Sequence, residues 1–265
     1  MTERREMVKM SEFTIQLAGR TVAVQTMYDT TRALCAEYLC EGAPCFTVTA
    51  NQRDIEQERV RAAREDEVEG LPPRQFSDGY LETTAIQRKI TEKFFEYDIL
   101  LFHGSVIAVD GEAYLFTAKS GTGKSTHTRL WREQFGDRAV MVNDDKPFLK
   151  FEGDRVIACG SPWNGKHRLG SNIMVPLKAV CILERGEENQ IAQIDPKDAL
   201  QMLFQQSSRP QNPRLMPKYM ELIDRLAQNV SLYHLNCNMD PEAAKVSYEG
   251  MSGNRYDEIT NRKLK

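Results

Sequence analysis

The segment AKSGTGKST at residues 118–126 constrains the fold of this chain more than any other stretch. The apolar run EAYLFT precedes it, and the segment HTRLWREQF follows it. A strand, a Gly-rich turn ending in Gly-Lys-Ser and a helix form the phosphate-binding loop pattern, here with Ala118 at the position of the first glycine. A purely structural helix cap would need neither a lysine between glycine and serine nor two glycines in this register. The sequence therefore predicts a phosphate-binding loop.

Each residue type in this loop has a chemical reason. Gly121 and Gly123 allow the backbone to curl with its N–H groups pointing inward, towards an anion. Lys124 supplies a cation for β- and γ-phosphates, and Ser125 offers a hydroxyl to Mg²⁺. We expect ATP and Mg²⁺ here, although no base-reading motif such as NKxD separates ATP from GTP. The predicted nucleotide-binding residues are Ser120, Gly121, Thr122, Gly123, Lys124, Ser125 and Thr126.

A pair of carboxylates follows the next apolar strand. The segment VMVNDDKP places Asp144 and Asp145 at the end of that strand, 19 positions after Ser125 (144 − 125). A carboxylate on a neighbouring strand can face the loop and hold Mg²⁺ beside the γ-phosphate. The second carboxylate can take a proton from an attacking hydroxyl. The alternative is an Asp-rich turn ahead of Lys-Pro with no part in catalysis.

Two further segments carry candidate residues. His103 ends the apolar run ILLF; taken alone, it is more typical of a histidine at a strand bend than of a functional residue. The segment GSPWNGKHRLGSN at residues 160–172 combines small residues with a basic cluster. It is open to two interpretations, a clamp for substrate or phosphate and a strand-connecting loop with surface charge. The candidate substrate residues are Trp163, Asn164, Lys166, His167 and Arg168.

Three other polar residues leave alternatives open. His127 and Arg129 follow the loop on the predicted helix and can face either solvent or the phosphates. His234, in the segment LYHL, is more typical of a strand residue than of a ligand.

None of the six cysteines forms a CxxC pair or a Cys-His zinc spacing, so we expect buried free thiols.

Charge and hydropathy exclude several classes of function. The formal net charge of −3 over 265 residues supplies no global basic field for nucleic acid or an anionic membrane. No stretch approaches the roughly 18 to 20 apolar residues of a membrane helix. The charged start MTERREMVKMSEF does not resemble a signal peptide. We therefore expect a cytoplasmic protein.

The first part of the chain predicts a small α/β region. Residues 12–18 and 21–26 alternate between apolar and polar, which is typical of a hairpin, with its turn expected at Gly19-Arg20. The charge-dense segment QRDIEQERVRAAREDEVEG predicts a helix that is either solvated or partner-facing. The segment LETTAIQRKITEKFFEYD predicts an amphipathic helix. The residues that share its apolar face are Ile86, Ile90 and Phe94.

From residue 99 onwards, strand and turn signals alternate. The dipeptide Asp110-Gly111 joins two apolar runs and predicts a hairpin. Short strands with turns at DDKP and EGD follow, and the segments DPKD and MDPE predict helices that open with Asp195 and Asp240 as caps. Hairpins mixed with strand–helix units argue against a purely parallel sheet. The chain is therefore predicted to have a mixed α/β fold.

The segments HGSVIAVDG, LFTAKSGTGKST and VNDD, in this order within about residues 99–185, resemble the core of the bacterial HPr serine kinase/phosphorylase family. The resemblance implies a mixed-sheet P-loop core of the phosphoenolpyruvate carboxykinase/HPr kinase type. We expect a smaller α/β region at residues 1–82 and a P-loop kinase-like domain at residues 83–265. The resemblance also implies ATP-dependent transfer of a phosphoryl group to a hydroxyl, with the reverse reaction open.

The resemblance assigns roles by position. His103 would tune the protonation of the acid pair, and Lys124 would hold phosphates. Asp144 would be the base and Asp145, with Ser125, the metal partner, although the two aspartates could be exchanged. The segment after the pair lacks the glutamate of the HPr kinase signature, which leaves the acceptor open among a protein serine, a peptide and a small metabolite. Homo-oligomers are expected for relatives of this fold.

Two rival functions remain at this point. A nucleotide sensor would bind ATP without turnover and use the charged helix at residues 52–67 as its output surface. An ATPase or GTPase would release phosphate without an acceptor. The acid pair and the segment GSPWNGKHR favour transfer over both rivals.

Overall fold

The computed structural model describes residues 10–256. The chain divides into two compact units, Met1–Lys93 and Phe94–Lys265. The boundary expected after residue 82 falls inside a helix, Asp78–Phe94, and the division lies near the C-terminal end of that helix. The last residues of the predicted C-terminal tail, from 257 onwards, lie outside the described part.

Three strands among the described residues of the first unit form one sheet in the order β1 (Ser11–Leu17), β2 (Arg20–Thr26) and β3 (Phe46–Thr49). The β1–β2 hairpin is confirmed, and β3 runs parallel to β2. The turn lies at Ala18 and Gly19, whose φ angles are 49° and 73°, one residue before the predicted position. A two-residue turn of this hand needs positive φ at both central residues, which fixes the register.

Three helices accompany this sheet in the described residues, namely α1 (Thr30–Leu34), α2 (Gln52–Glu69) and α3 (Asp78–Phe94). The charge-dense helix α2 is not solvated on all sides. Its Glu58 is buried and accepts hydrogen bonds of 2.7 and 2.9 Å from the Arg88 guanidinium of α3. Asp66, also buried, accepts from the Arg74 guanidinium and backbone N–H. These charged contacts replace the apolar face that α2 lacks.

The described residues of the second unit contain nine strands in one mixed sheet. Its strands are β4 (Ile99–Leu101), β5 (Ser105–Val109), β6 (Glu112–Thr117), β7 (Ala139–Asn143), β8 (Phe148–Glu152), β9 (Arg155–Cys159), β10 (Met174–Arg185), β11 (Gln190–Gln193) and β12 (Ser231–Cys237). Its helices are α4 (Lys124–Phe135), α5 (Pro196–Gln206), α6 (Met216–Asn229) and α7 (Glu242–Ser252).

The long strand β10 joins the two parts of this sheet. Its first residues pair antiparallel with β9, and its remainder lies parallel between β6 and β12. The main strand order is β4-β8-β9-β10-β6-β5-β7, with β12 beside β10 and β11 beside β12. The Asp110-Gly111 hairpin is confirmed between β5 and β6. The prediction of a mixed sheet, as opposed to a purely parallel one, is therefore confirmed.

Helices cover both faces of the sheet around β6. Leu115 belongs to a core cluster with residues of α5 and α6, such as Leu203 and Leu222. Tyr114 and Phe116 belong to a second cluster with α4 and α7, which contribute Trp131 and Tyr248. Because successive side chains of β6 point to opposite faces of the sheet, this one strand contributes to both apolar layers. Apolar side chains therefore pack on both faces of the strand that leads into the predicted phosphate-binding loop.

Some local predictions need correction. The run before Asp110 is two strands, β4 and β5, which separate at residues 102–104. Asp195 makes no side-chain capping bond to α5, and α7 has Pro241 as its N-cap in place of Asp240. All six cysteines lie in the described part and none forms a disulfide, but only Cys35, Cys159 and Cys181 are buried as predicted, whereas Cys40 and Cys237 are half-buried and Cys45 is exposed. No helix among residues 10–256 is long and apolar enough to cross a membrane.

Candidate functional site

The Gly-rich loop lies at the C-terminal end of β6 and leads directly into α4. Gly121 and Gly123 have φ angles of 75° and 126°, a region that side-chain-bearing residues rarely adopt. A Cβ atom at either position would have no heavy atom within 4 Å. Open space therefore borders the loop at both glycines. The first turn of α4 closes with a 2.9 Å bond from the His127 N–H to the Gly123 carbonyl.

Lys124 lies at the start of α4 and folds back over the loop. Its Nζ donates a 3.0 Å hydrogen bond to the Ala118 carbonyl. Burial lowers the pKa of Lys124, Asp145 raises it and Lys146 lowers it, with a net downward direction. An anion in the loop would offer this half-buried ammonium a charged partner in place of a neutral carbonyl.

Asp144 and Asp145 follow β7, whose neighbour β5 pairs with the loop strand β6. Asp144 is buried, and its Oδ1 accepts a 2.7 Å hydrogen bond from the Gly165 N–H. Burial raises the pKa of Asp144, the Gly165 N–H lowers it and the neighbouring Asp145 raises it, with a net upward direction. A carboxyl with a raised pKa is a better proton acceptor when ionised than an ordinary surface aspartate.

Asp145 has a different environment. Its Oδ1 lies 3.2 Å from His103 Nε2. Burial raises the pKa of Asp145, but His103, Lys146 and Lys124 lower it, and the net direction is downward. The hydrogen bond to Asp145 raises the pKa of His103, whereas burial, Lys146 and Lys124 lower it, and the net direction is also downward. The two adjacent aspartates therefore have pKa values shifted in opposite directions.

The break between β4 and β5 brings His103 to this carboxylate. The Gly104 N–H donates to the Asp145 carbonyl at 3.1 Å, and Thr117 Oγ1 donates to the His103 carbonyl at 3.1 Å. A Cβ atom on Gly104 would lie 3.0 Å from both the Leu115 side chain and the Phe116 carbonyl. The glycine therefore permits the close approach that positions the histidine.

Sequence reasoning missed the residues that orient the acid pair. Asn143 is fully buried, and its Oδ1 accepts from the N–H groups of Asp145 at 2.8 Å and Lys146 at 2.6 Å. Its Nδ2 donates to the Ser161 carbonyl at 3.0 Å, and Ser161 Oγ donates to the Lys146 carbonyl at 2.6 Å. Asparagine before an Asp-Asp turn is a known turn signal, which could have identified Asn143. No local signal marks Ser161.

A cavity of about 430 Å³, called here the acid-pair cavity, lies beside the loop. It brings together predicted residues from three segments, the loop, β7 and residues 160–172. Asp144 lines it, whereas Asp145 and His103 do not. Its lining residues are Gly121, Gly123, Lys124, Ser125, Thr126, Thr128, Arg129, Arg132, Asp144, Lys166, His167 and Leu169.

A second cavity of about 430 Å³, called here the far cavity, lies against the loop beside the ends of β10 and β12. Apolar side chains from Leu130, Leu183 and Met239 contribute to its wall. Arg185, another residue that sequence reasoning missed, lines it and donates to the Gly121 carbonyl at 2.6 Å and the Thr122 carbonyl at 3.3 Å. The end of β10 thereby holds the tip of the loop.

The segment at residues 160–172 does not act as one surface. Lys166 and His167 line the acid-pair cavity, but Trp163, Asn164 and Arg168 do not. Trp163 is buried and packs edge-to-face on Phe148. Asn164 Nδ2 donates to the Ser161 carbonyl at 3.2 Å, so Asn164 stabilises the segment at residues 160–172 itself. Arg168 has a positive φ of 50° and is exposed.

The other polar candidates also lie in different environments, and one of the three lines the acid-pair cavity. His127 is buried, its Nε2 lies 2.9 Å from Ser247 Oγ, and burial lowers its pKa to about 3. Arg129 lines the acid-pair cavity and contacts Glu133 at 2.6 Å. His234 lies on β12 and contacts Glu184 at 3.0 Å, as expected for a strand residue.

The residues present fit a nucleotide with Mg²⁺. The loop leaves open space at both glycines, Lys124 donates to the neutral Ala118 carbonyl, and the Ser125 side chain lies in the cavity that Asp144 lines. Hydroxyl and carboxylate oxygens are the ligands that Mg²⁺ takes beside phosphates.

The fold and the site define a mixed α/β chain with a Gly-rich loop between a strand and a helix and an aspartate pair on a neighbouring strand end. The family described as SynChlorMet cassette protein ScmC matches residues 80–242, well over half of the sequence, and the chain belongs to that family. The HPr kinase/phosphorylases of Bacillus cereus (strain B4264) and Bacillus anthracis (strain A0248) are each 31% identical over 160 residues. The match covers 56% of this chain and 46% of each relative.

This chain thus spans about half the length of the curated relatives it matches. A solved structure of the Hpr(Ser) kinase/phosphatase from Coxiella burnetii also aligns, with 12% identity and a TM-score of 0.34. That alignment covers 62% of this chain and 96% of the solved one. The resemblance predicted from HGSVIAVDG, AKSGTGKST and VNDD is confirmed by the curated relatives.

Proposed function

We propose that this protein is an ATP-dependent phosphotransferase that moves the γ-phosphoryl group to a hydroxyl of an acceptor, with Mg²⁺. One observation carries the proposal: a buried carboxylate with a raised pKa, Asp144, lines the same cavity as Lys124 and Ser125. A simple nucleotide-binding loop has no need for a buried proton acceptor there. Phosphoryl transfer to an alcohol needs one.

The loop residues supply binding and charge stabilisation. Lys124 exchanges its hydrogen bond to the Ala118 carbonyl for phosphate oxygens, and the loop N–H groups at the start of α4 face the same anion. Ser125 and one carboxylate of the acid pair would hold Mg²⁺, which supplies positive charge to the phosphate oxygens when bound. The lowered pKa of Asp145 suits this role, because a metal ligand must be ionised.

Asp144 is the group that we assign as the base. It accepts the hydroxyl proton as the acceptor oxygen attacks the γ-phosphorus, and it can return the proton in the reverse reaction. Backbone N–H groups of Gly165 and Leu169 hold this carboxylate against the segment at residues 160–172. Asp145 is engaged with His103 and does not line the cavity, which favours Asp144 over its neighbour.

We assign the nucleoside to one cavity and the acceptor to the other. The far cavity has apolar walls from Leu183, Leu130 and Met239, which suit a nucleoside. The acid-pair cavity contains the proposed base and therefore suits the acceptor. The phosphate chain then passes over the loop, between Thr122 and Ser125. The relatives' name refers to HPr as their target, and here we propose only a hydroxyl-bearing acceptor.

The test is transfer of label from γ-labelled ATP, with Mg²⁺, into lysate fractions separated by size. Label in a protein or peptide band, or in the small-molecule fraction, supports the proposal and identifies the acceptor's class. The Asp144→Asn variant serves as the matched negative control. Nucleotide binding without label in any fraction would contradict transfer and favour a sensor that binds ATP without turnover.

A further inference from the structure

The acid-pair cavity has a strongly basic wall that the phosphate-binding loop does not require. Arg129 and Arg132 lie four and seven positions after Ser125 on α4, so all three share one side of the helix. Lys166 and His167 contribute from the segment opposite. All four of these basic side chains are exposed, so the wall is open to a ligand from solvent.

Negative charge among residues 10–256 does not balance this wall. Among residues 10–256, Asp144 is the one carboxylate that lines the cavity. Arg129 is paired with Glu133 at 2.6 Å, but the described residues place no carboxylate within ion-pair distance of Arg132 or Lys166. Uncompensated cations around a cavity favour an anionic ligand.

The nucleotide phosphates do not explain these cations. They bind at the start of α4, where the loop N–H groups and Lys124 neutralise them. At a rise of about 1.5 Å per residue, the backbone of Arg129 lies about 6 Å and that of Arg132 about 10 Å along the helix from Ser125. The basic wall therefore extends away from the nucleotide, along the side where the acceptor approaches Asp144.

The spacing of the wall indicates the size of the acceptor. An extended peptide rises about 3.3 Å per residue, so 10 Å corresponds to about three residues. A small hydroxy acid has one carboxylate and would use one or two of these cations. A peptide with several carboxylates, two to four positions from its hydroxyl, can use the whole wall.

We propose that the acceptor is an acidic peptide segment whose serine or threonine lies at Asp144 and whose carboxylates contact Arg132, Arg129, Lys166 and His167. The hydroxyl part of this inference depends on the phosphotransferase function proposed above. The inference that an acidic peptide binds here depends on the basic wall alone. A measurement of peptide binding and a measurement of transfer therefore separate the two.

The experiment uses three fluorescein-labelled peptides, EEEGSGEEE, QQQGSGQQQ and KKKGSGKKK, with the full chain. Fluorescence anisotropy with Mg-ADP present gives affinity, and γ-labelled Mg-ATP gives transfer to the single serine. The Glu peptide is expected to bind about tenfold more tightly than the Gln peptide, because charge complementarity across a partly exposed surface contributes on this scale. The Lys peptide is expected to bind least.

Matched variants test whether the basic wall binds the peptide. Arg132→Gln is expected to weaken binding of the Glu peptide about fivefold and to raise KM for its transfer more than it lowers kcat. Arg155→Gln removes the same charge from β9, where the side chain is 76% exposed and does not line the cavity, and is expected to leave both values unchanged. Nucleotide affinity should be unchanged in both variants.

Each outcome bears on one of the two proposals. Equal binding of the Glu and Gln peptides, or equal effects of Arg132→Gln and Arg155→Gln, would overturn the acidic-peptide inference. Label in all three serines at equal rates would do the same while leaving the phosphotransferase function standing, as would faster label in free L-serine. Preferential binding of the Glu peptide without label would support the docking surface and contradict transfer.

Discussion

At the scale of single residues, Asp144 is the side chain on which we expect the proposed transfer to depend. Asp144→Asn keeps the size of the side chain and an oxygen for the Gly165 N–H, but it cannot accept a proton. We expect transfer to fall by about 10³-fold or more, while nucleotide affinity stays within about twofold. Label transfer and nucleotide titration measure the two effects, with Asp154→Asn in the β8–β9 turn as the control. Equal loss of transfer and binding would argue against a base.

The raised pKa of Asp144 also predicts how stability depends on pH. The folded protein favours the protonated carboxyl, because burial and Asp145 disfavour its charge. The stability that Asp144 contributes is therefore present below the ordinary carboxyl pKa of about 3.9 and is lost as pH rises through its folded-state value. Asn does not titrate, so the wild-type melting temperature minus that of Asp144→Asn should fall as pH rises above about 4. A difference that is constant with pH would refute this shift.

Lys124 is the residue on which we expect nucleotide affinity to depend. Its ammonium is half-buried beside the loop and bonded to the Ala118 carbonyl. Lys124→Ala is expected to weaken nucleotide binding about tenfold or more, because a charge-assisted contact is lost. Lys197→Ala, on α5 with a side chain that is 76% exposed, is the matched control. Unchanged affinity in Lys124→Ala, measured by calorimetry, would count against the phosphate-binding loop.

At the scale of elements, the end of β7 is an asparagine-built turn. Asn143→Ala leaves the N–H groups of Asp145 and Lys146 without their acceptor in a buried position. A cost of about 1–3 kcal/mol in the free energy of unfolding is expected, together with a drop in kcat, because Asp144 and Asp145 lose their fixed orientation. Urea unfolding and label transfer measure these effects. Asn229→Ala, at the exposed C-terminal end of α6, should change neither quantity, and equal effects of both variants would indicate general destabilisation.

The helices and strands also show which features of the fold could be predicted from the sequence and which could not. Ile86, Ile90 and Phe94 are fully buried as their helical period predicts, since one face of α3 must leave water. Strand β11 was not predicted because QIAQ is short, mostly polar and paired with β12 alone. The contact of Arg185 with the loop joins residues 63 and 64 positions apart. Such contacts arise from strand order, which local patterns do not encode.

The same limit applies to the candidate site. The loop and the acid pair were recognisable because their chemistry is concentrated in a few adjacent residues. The pairing of His103 with Asp145 follows from the β4–β5 break and from the β5–β7 register, and residue patterns alone left His103 as an ordinary bend residue. Arg132 carries no motif at all, and its place in the acid-pair cavity emerges only when α4 lies beside the segment at residues 160–172.

At the scale of the whole molecule, two compact units predict two unfolding transitions. The first unit has its own sheet and buried Ile15, Val24 and Ile55, and the second has the clusters around β6, so each has a separate apolar core. A ligand stabilises only the unit that binds it. Mg-ATP at 100 times its Kd should therefore stabilise the second unit by about 2.7 kcal/mol and leave the first unit's transition in place.

Differential scanning calorimetry, with and without Mg-ATP, measures both transitions in one experiment. Tryptophan fluorescence assigns the second unit, because both tryptophans, Trp131 and Trp163, lie within it. In Lys124→Ala the ligand-induced shift should largely disappear, since the same ammonium that binds the phosphates gives the ligand its differential affinity for the folded state. An equal shift of both transitions, or a shift that survives Lys124→Ala, would mean that the nucleotide binds elsewhere than the loop at residues 118–126.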